Sequence, residues 1–545
     1  MDAHESPSSV APALPGRLRI EAERIWTGDD AYPWATSIEI EDARVVAVDR
    51  SADHGARVVR LPPGATVLPG LIDGHLHLTL GALGLAQLDL SGVRSRDEFE
   101  RAIAGAAAAL APGRWLRAHG WHEANWGGER PTRDWLRAAG AVPCVAYRMD
   151  HHACVVNDAV LSMIDGHPCP EGGEIVRDAA GRPTGLLLEQ AAWRLVNPLV
   201  PVPPAEDRRR AVRMACRHAH RFGLTAVGSM EYGVDLAEVY VPMRAVGGTD
   251  GAGDGLTLRV AATVLDRDWP VDLAPGLAIA GDDRLRIAGW KSFIDGTLGS
   301  RTARMLDPYS DDAGNRGMLV EMAAHSVGRL REWAARVIAA GRSPAVHVIG
   351  DEALRLALDA IEPVDPERTA RFEHCQTVHA ADVARFAGRI ASMQPLHKAD
   401  DARIARARLG DGRMDRFFRF RDLARAGARL SFGSDWPIVT CDPRPGIRAA
   451  VTGLDLDGHP CETGQNLTVE ETLRAYTRGA AEALGLSESG ALRLGGHADL
   501  CILANDPFHH DWAGAPLPEV LATVAGGRVV HGTIATPEAR VALTP

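Results

Sequence analysis

Eight short apolar runs recur along the chain, and helix-like stretches separate most of them. This alternation predicts βα units with a parallel sheet, and eight parallel strands are the number that a closed barrel needs. Apolar residues at helical spacing over 206–222, 323–340 and 469–484 predict helices of an outer layer. We therefore predict a (β/α)8 TIM-type barrel, in the α/β class. The predicted strands are 66–72, 225–229, 258–264, 285–293, 345–349, 371–374, 389–394 and 429–433.

The spacing of these strands predicts further parts of the molecule. About 150 residues separate the first two strands, which is too long for a βα connection, so we expect an inserted subdomain at about 85–200. Alternating apolar and polar residues predict short strands in both terminal segments. Segments 17–65 and 490–545 could pair into one small β-sandwich beside a barrel at 66–489. Residues 1–16 are polar and rich in Pro and Ser, which predicts a disordered leader.

Residues that bind metals or move protons follow several of the apolar runs. His75 and His77 follow the first run, and alternate side chains of an extended strand share a face, so both imidazoles can point at one metal ion. Taken singly, each such residue has a simpler explanation, as a solvated loop charge or a hydrogen-bonded structural histidine. Together they predict one site, because the C-terminal ends of barrel strands converge. The other four residues of this kind are Lys291, His347, His374 and Asp435.

This ordered set resembles the amidohydrolase superfamily of metal-dependent hydrolases. In that barrel family His-x-His lies on the first strand, a Lys that can be carboxylated on the fourth, His on the fifth and sixth, and Asp on the eighth. The blocks 291–302, 347–351 and 433–437 resemble its amidohydrolase-3 branch, which includes N-substituted formamide deformylases. The resemblance covers nearly the whole chain. It implies that the chain ends pair into one module.

The resemblance also implies a centre for one or two divalent ions, with zinc as the expected metal. A free lysine ammonium cannot bind a metal. Lys291 is therefore either carboxylated to a carbamate that bridges two ions, or structural in a centre that holds one ion. Asp435 would act as general base and then as general acid. The implied ligands are His75, His77 and Asp435 for the first ion, and His347 and His374 for the second, with Lys291 between them.

Four further residues are candidates for substrate binding. His152 and Glu189 lie in sequence blocks that look like the insert of the branch, and they either line the substrate pocket or hold the insert together by hydrogen bonds. His397 could help to stabilise a tetrahedral oxyanion. Trp436 is a pocket candidate that could equally pack between the insert and the barrel.

Composition restricts partners and location. The 60 basic and 71 acidic residues give a net charge of −11, and no dense stripe of Lys and Arg interleaves with aromatic residues, so we expect no nucleic acid partner. Eight cysteines without a Cys-x-x-Cys pair indicate neither a zinc ribbon nor a disulfide framework. No signal-like start is present, and no apolar segment approaches the ~20 residues that span a bilayer. We therefore expect a cytoplasmic protein without a membrane partner.

The leading functional hypothesis is hydrolysis of an amide-like C–N bond in a small molecule, with N-substituted formamides as the nearest precedent in the resembled family. One alternative is deamination of a cyclic amidine or a nucleobase-like substrate on the same barrel. Another is a metal-free pseudoenzyme that acts as a binding protein. Oligomeric state stays open, and a homo-oligomer is one option.

Overall fold

The computed structural model describes residues 16–50, 55–111, 113–245, 255–267, 269–321 and 326–534. The described strands form three sheets, which correspond to a barrel, an insert and a module built from both ends of the chain. The predicted leader lies almost wholly outside the described residues, as does the stretch 535–545. Among the described residues, no helix is both long enough and apolar enough to cross a membrane.

The central sheet confirms the predicted barrel. Its eight strands are all parallel and follow one another in chain order. Most of their residues are buried because the helices cover the outer face of the sheet while side chains fill its interior. The strands are Leu71–Leu76, Leu224–Tyr232, Arg259–Leu265, Leu285–Phe293, Ser343–Val348, Arg371–His374, Ile390–Met393 and Arg429–Phe432.

Hydrogen bonds beyond the last strand tie it to the first strand and close the barrel. The Asp435 amide donates to the His75 carbonyl at 2.6 Å, and the Ser434 amide donates to Asp73 Oδ1 at 3.0 Å. Gly433 permits this close approach, since a Cβ there would lie 2.5 Å from the backbone nitrogen of His75. The closure therefore brings the first and last predicted ligands together.

The helical layer follows the predicted pattern with one break. The predicted helix at 469–484 is two helices, because the Tyr476 carbonyl accepts the Ile72 amide of the first barrel strand at 2.7 Å. The helices of this layer are Leu78–Gly84, Ala205–His220, Gly233–Asp235, Val241–Ala245, Ala274–Leu277, Val327–Ala339, Asp351–Ile361, Ala380–Val383, Pro395–Leu409, Phe420–Arg425, Pro443–Thr452, Val469–Ala475 and Arg478–Leu484. Shorter 3-10 or π turns are Leu236–Tyr240, Glu362–Val364, Ala384–Phe386, Asp411–Arg416 and Thr463–Gln465.

The long connection between the first and second barrel strands carries a six-stranded sheet of its own. One face of this sheet packs on the helix Arg96–Ala109, which begins at Ser95, whose side chain accepts the Glu98 amide. The other face packs toward the barrel. The strands are Leu88–Asp89, Leu116–Trp121, Cys144–Arg148, Ala153–Val156, Gly173–Arg177 and Pro183–Glu189, and the remaining helical segments are Glu123–Trp126, Arg133–Ala139, Asp158–Ile164, Ala192–Val196 and Asn197–Leu199.

Segments from both chain ends pair into one module, as expected. Its strands form one continuous branched sheet around an apolar cluster of their own. The predicted strand 66–72 is divided at Gly70: Thr66–Pro69 pairs within this module, and the barrel begins at Leu71 instead of residue 66. The strands are Leu18–Trp26, Trp34–Glu41, Arg44–Val48, Arg57–Arg60, Thr66–Pro69, Leu500–Leu503, Val520–Ala525 and Arg528–Gly532.

Candidate metal centre

All six predicted metal ligands line one cavity at the C-terminal ends of the barrel strands. The cavity has an empty volume of about 1320 Å³ and opens to solvent between the barrel and the insert. Five strands of the barrel, or the residues just after them, supply the six side chains. The predicted convergence therefore occurs, although these residues are separated by up to 360 positions in the sequence: they are His75, His77, Lys291, His347, His374 and Asp435.

The tightest part of the centre surrounds the carboxylate of Asp435. Its Oδ1 lies 3.3 Å from His75 Nε2 and 3.3 Å from His77 Nε2. Ligand atoms of His75, His374 and Asp435 all lie within 4.8 Å of one another, a spacing that one metal ion can bridge. His347 adjoins this group, with its ring centroid 4.5 Å from that of His374.

Three of the imidazoles are held by a hydrogen-bonding oxygen. In His75 and His347 the second ring nitrogen is left for the centre, the arrangement in which metal-binding histidines are held by their neighbours. In His374 the nitrogen that bonds Gln394 also lies 4.0 Å from Asp435 Oδ2. His347 Nδ1 is buried and has no hydrogen-bond partner among the described residues, while His75 Nε2 lies 3.3 Å from Asp435 Oδ1; a metal ion would satisfy both nitrogens. The orienting contacts are His75 Nδ1 to Glu373 Oε2 at 2.6 Å, His374 Nδ1 to Gln394 Oε1 at 2.8 Å, and His347 Nε2 to the Gly296 carbonyl at 3.0 Å.

The electrostatics of the centre suit a cation. Burial and neighbouring cationic groups hold the pKa values of His347 and His374 well below their usual range, so both rings are neutral and have a free lone pair at neutral pH. Burial alone would raise the pKa of Asp435, but the adjacent His75 and His77 rings outweigh it and lower that pKa. Burial opposes a proton on His75, yet the carboxylates of Glu373 and Asp435 raise its pKa. A divalent ion would replace that proton.

Lys291 lies at the floor of the cavity, on the fourth barrel strand. Its side chain is buried, and Nζ has no hydrogen-bond partner in the structure. Burial lowers the pKa of Lys291 to about 8, against the opposing influence of Glu373 and Asp435. The amine is therefore neutral more often than an ordinary lysine near neutral pH, and only the neutral form can react with carbon dioxide.

Two ligands have a left-handed backbone conformation. His374 has φ 73° and Asp435 has φ 61°, and each follows or ends a barrel strand. Such conformations cost about 1–3 kcal/mol at a non-glycine residue and persist where the surrounding structure holds them. They turn these side chains from the strand direction into the cavity.

The structure gives different positions to His152 and Glu189, the two substrate-binding candidates of the insert. His152 lines the cavity, and its ring centroid lies 5.0 Å from that of His347. Glu189 does not line it: the carboxylate is fully buried, with Oε2 2.7 Å from His152 Nδ1 and Oε1 accepting the Thr302 hydroxyl at 2.6 Å. Glu189 therefore positions His152, which is the structural alternative considered for it, and does not contact substrate from this position.

The two remaining substrate candidates also differ in position. His397 lines a smaller cavity of about 520 Å³ beside the centre, and its Nε2 is buried without a hydrogen-bond partner in the structure. This second cavity shares His152, His347, His374 and Asp435 with the larger one. Trp436 lies outside both of these cavities. It lines a third cavity of about 1280 Å³ and packs against Gly81 of the first helix, where a Cβ would lie 2.4 Å from the indole.

Sequence reasoning missed the residues that orient the ligands. Glu373 is fully buried and holds His75, while Arg371 Nε lies 3.1 Å from the second oxygen of that carboxylate. Gln394 holds His374, and Asp73 joins the first strand to Ser434. One signal was available: Arg371 and Glu373 form a charged pair within a predicted barrel strand, and such charges are costly to bury unless they have a purpose.

A closed parallel barrel with histidines and an aspartate gathered at its C-terminal face is typical of a metal-dependent hydrolase. The comparisons with known proteins agree with this class.

The chain belongs to the amidohydrolase family, whose family model matches residues 63–531. It is 32% identical to the protein LONG AFTER FAR-RED 3 of Arabidopsis thaliana, over 93% of this chain and 90% of that protein. It is 30% identical to an N-substituted formamide deformylase of Arthrobacter pascens, over 85% of this chain and 88% of the enzyme. A crystal structure of an uncharacterized metal-dependent hydrolase from Pyrococcus horikoshii OT3 matches with a TM-score of 0.73 and 28% identity, over 92% of this chain and 100% of that one. The resemblance inferred from the sequence is confirmed.

Proposed function

We propose that the protein hydrolyses the C–N bond of an amide-like small molecule, with an N-substituted formamide as the model substrate. The observation that carries this proposal is the set of six predicted ligand side chains lining one cavity, with His347 Nδ1 buried and unpartnered among the described residues and His75 Nε2 only 3.3 Å from Asp435 Oδ1. The similarity to an N-substituted formamide deformylase supports the same reaction class. In the net reaction, water adds to the carbonyl carbon, the C–N bond breaks, and a carboxylic acid and an amine leave.

The residues present fit a divalent ion, and we propose zinc, since imidazole and carboxylate ligands suit it. When bound, such an ion lowers the pKa of coordinated water and polarises the scissile carbonyl. The first ion would be held by His75, His77 and Asp435. A second would be held by His347 and His374 if Lys291 carries a carbamate, and its buried, unpartnered Nζ supports that modification.

Asp435 is the proposed acid–base residue. Its carboxylate lies in the cavity and stays ionised because the surrounding imidazoles lower its pKa, so it can take the proton of the attacking water. The same carboxylate returns that proton to the departing nitrogen, which leaves as a neutral amine. His152 is placed to donate a hydrogen bond to the carbonyl oxygen, because Glu189 fixes one edge of its ring and the other faces the cavity.

The two cavities suggest how the substrate lies. The larger cavity has the aromatic walls Tyr147, Trp193 and Phe293, which suit an apolar amine substituent. The smaller cavity is lined by charged and polar groups and suits a small acyl fragment such as formyl. We propose that the scissile bond lies where the cavities meet, beside His152 and Asp435.

Elemental analysis of protein purified without chelator or nickel resin tests the premise. About two metal equivalents per chain would support the bridged centre, and about one would support a single-ion centre with a structural Lys291. No bound metal, and no uptake of zinc or manganese, would favour the pseudoenzyme alternative.

Activity is then measured on formamides with aromatic N-substituents and on cyclic amidines. Asp435→Asn should abolish turnover while leaving the circular dichroism spectrum unchanged. Turnover of the amidines alone would favour the deaminase alternative, and full activity of Asp435→Asn would remove this residue from the mechanism.

We also propose a cytoplasmic location. All eight cysteines are free thiols in the structure, and six of them are buried. Reduced thiols of this kind are usual where glutathione keeps cysteines reduced.

A further inference from the structure

Among the arginines that line the larger cavity, one has no counter-charge among the described residues. Arg117 lies on the insert strand Leu116–Trp121, where Leu116 and Ala118 point into the core of the insert. Because alternate residues of a strand face opposite sides, Arg117 projects from the other face, and there it lines the cavity that holds the predicted metal ligands.

The other arginines of this cavity are neutralised. Arg208 forms an ion pair with Asp235, and Arg267 pairs with Glu321 at 2.7 Å while its guanidinium stacks over Trp193. Arg117 has neither a hydrogen bond nor an ion pair with any residue that the structure describes, and its Nε is buried. A half-buried guanidinium without an anion is unfavourable, since it loses hydration without gaining a counter-charge.

The surroundings of Arg117 are aromatic and continue toward the metal centre. Tyr147 lies on the neighbouring strand and its phenol donates to Asn197 Oδ1 at 2.8 Å, so it offers no anion. The Tyr147 ring stacks on His151 at 5.3 Å between centroids, and His151 lies within electrostatic reach of His77. The rings of Tyr147 and His151 therefore lie between the guanidinium and the predicted metal ligand His77.

We propose that Arg117 binds a carboxylate of the substrate, at the end of the amine substituent remote from the scissile bond. A guanidinium presents paired N–H donors that match the two oxygens of a carboxylate, and one guanidinium without a counter-charge suits a monoanion. This inference rests on the proposed function for the direction in which the substrate lies. It narrows the substrate class to amides whose amine portion carries an aromatic or apolar segment that ends in a carboxylate.

Binding without turnover tests the anion site on its own. Metal-loaded enzyme is titrated calorimetrically with ω-phenylalkanoates of two to six carbons and with the matching carboxamides. At the best chain length we expect the carboxylate to bind at least tenfold more tightly than its carboxamide. Arg117→Met should remove this preference, and Arg117→Lys should retain part of it. The control Arg177→Met changes an exposed arginine of the same sheet, which bonds the Gly181 carbonyl, and should keep the full preference.

Two outcomes would overturn the proposal. The first is that no carboxylate in the series binds the wild-type enzyme better than its amide. The second is that Arg117→Met keeps the preference, which would mean that the carboxylate binds the metal directly or another cation.

A pair of substrates, compared by their kinetics, tests the anion site separately from the proposed hydrolysis. N-formyl-4-(aminomethyl)benzoate and N-formylbenzylamine differ only in the carboxylate. We expect Arg117→Met to raise KM for the carboxylate substrate by about tenfold to a hundredfold, with kcat and the neutral substrate little changed. If neither formamide is hydrolysed but the binding preference depends on Arg117, the proposed reaction fails and the anion site stands. If both are hydrolysed equally well by wild type and Arg117→Met, the reaction stands and the anion site fails.

Discussion

The carboxylate of Glu373 offers a sharp test of how the barrel prepares its metal centre. Glu373 contacts no predicted substrate position; it holds His75 Nδ1 at 2.6 Å and is itself held by Arg371 at 3.1 Å. Its negative charge makes the opposite nitrogen of His75 a better metal ligand and fixes the ring orientation. Glu373→Gln keeps the size of the side chain but removes the charge. Losing such an orienting carboxylate typically weakens metal binding 10–100-fold, or about 1.4–2.7 kcal/mol.

The variant will also lose stability, because it leaves Arg371 charged in the barrel interior without its counter-ion. Breaking a buried ion pair costs about 3–5 kcal/mol. A matched control is therefore required. Asp499→Asn breaks a similar buried pair, with Arg259 at 2.7 Å, at the opposite end of the barrel from the metal ligands. Both variants should unfold at lower temperature, but only Glu373→Gln should lose metal affinity.

Zinc affinity is measured by competition with a fluorescent chelator at constant pH, after both variants have been shown to be folded by circular dichroism. A dissociation constant for Glu373→Gln within about twofold of that for Asp499→Asn would refute the role given to Glu373. The contact between Glu373 and His75 would then contribute to strand packing alone and not to metal binding.

Three more predictions use other parts of the structure. Lys291→Ala should keep about one metal equivalent and lose activity that acetate or propionate partly restores; normal metal content and turnover would show that Lys291 bridges nothing. Gly433→Ala should lower metal affinity, because its Cβ would lie 2.5 Å from the His75 nitrogen, whereas Gly105→Ala, with open space around it, should not. Burial lowers the pKa of His220 to about 4, against an unfolded value near 6.5, so the unfolded state takes up the proton first. The stability that neutral His220 provides, about 3 kcal/mol, is therefore complete above pH 6.5 and is lost as the pH falls toward 4. Calorimetry should show that the difference in melting temperature between wild type and His220→Gln narrows from pH 7 to pH 4.5, and a constant difference would contradict this assignment.

The barrel and its ligands could be predicted from the sequence because both leave local signals. A parallel strand buried on both faces is a short apolar run, and a ligand at its C-terminal end interrupts that run at a fixed place. His75, His347 and Asp435 were identified in this way, and the structure brings them into one cavity. The break at Gly70 left no such signal, since Thr66–Pro69 and Leu71–Leu76 are equally apolar and their separation depends on which neighbouring strands they join.

The positions of Glu189 and Trp436 could not be predicted, because each depends on tertiary contacts that no local pattern encodes. Glu189 lies beneath His152 because the hydroxyl of Thr302, 113 positions away, donates a hydrogen bond to its buried carboxylate. Trp436 follows directly after the predicted ligand Asp435, yet Gly81 leaves a space that the indole fills outside the larger cavity.

The barrel and the insert supply different parts of the site, and this difference explains why the sequence indicates the reaction more clearly than the substrate. The barrel contributes the six predicted ligands and the residues that orient them, and these requirements follow from the chemistry of an ion. The insert contributes Arg117 and Tyr147, which meet no such requirement and leave no motif. Arg117 stands out only in the structure, where described residues provide counter-ions for Arg208 and Arg267 but none for Arg117. Proteins seldom keep a half-buried charge uncompensated, so the missing partner is best sought in the substrate.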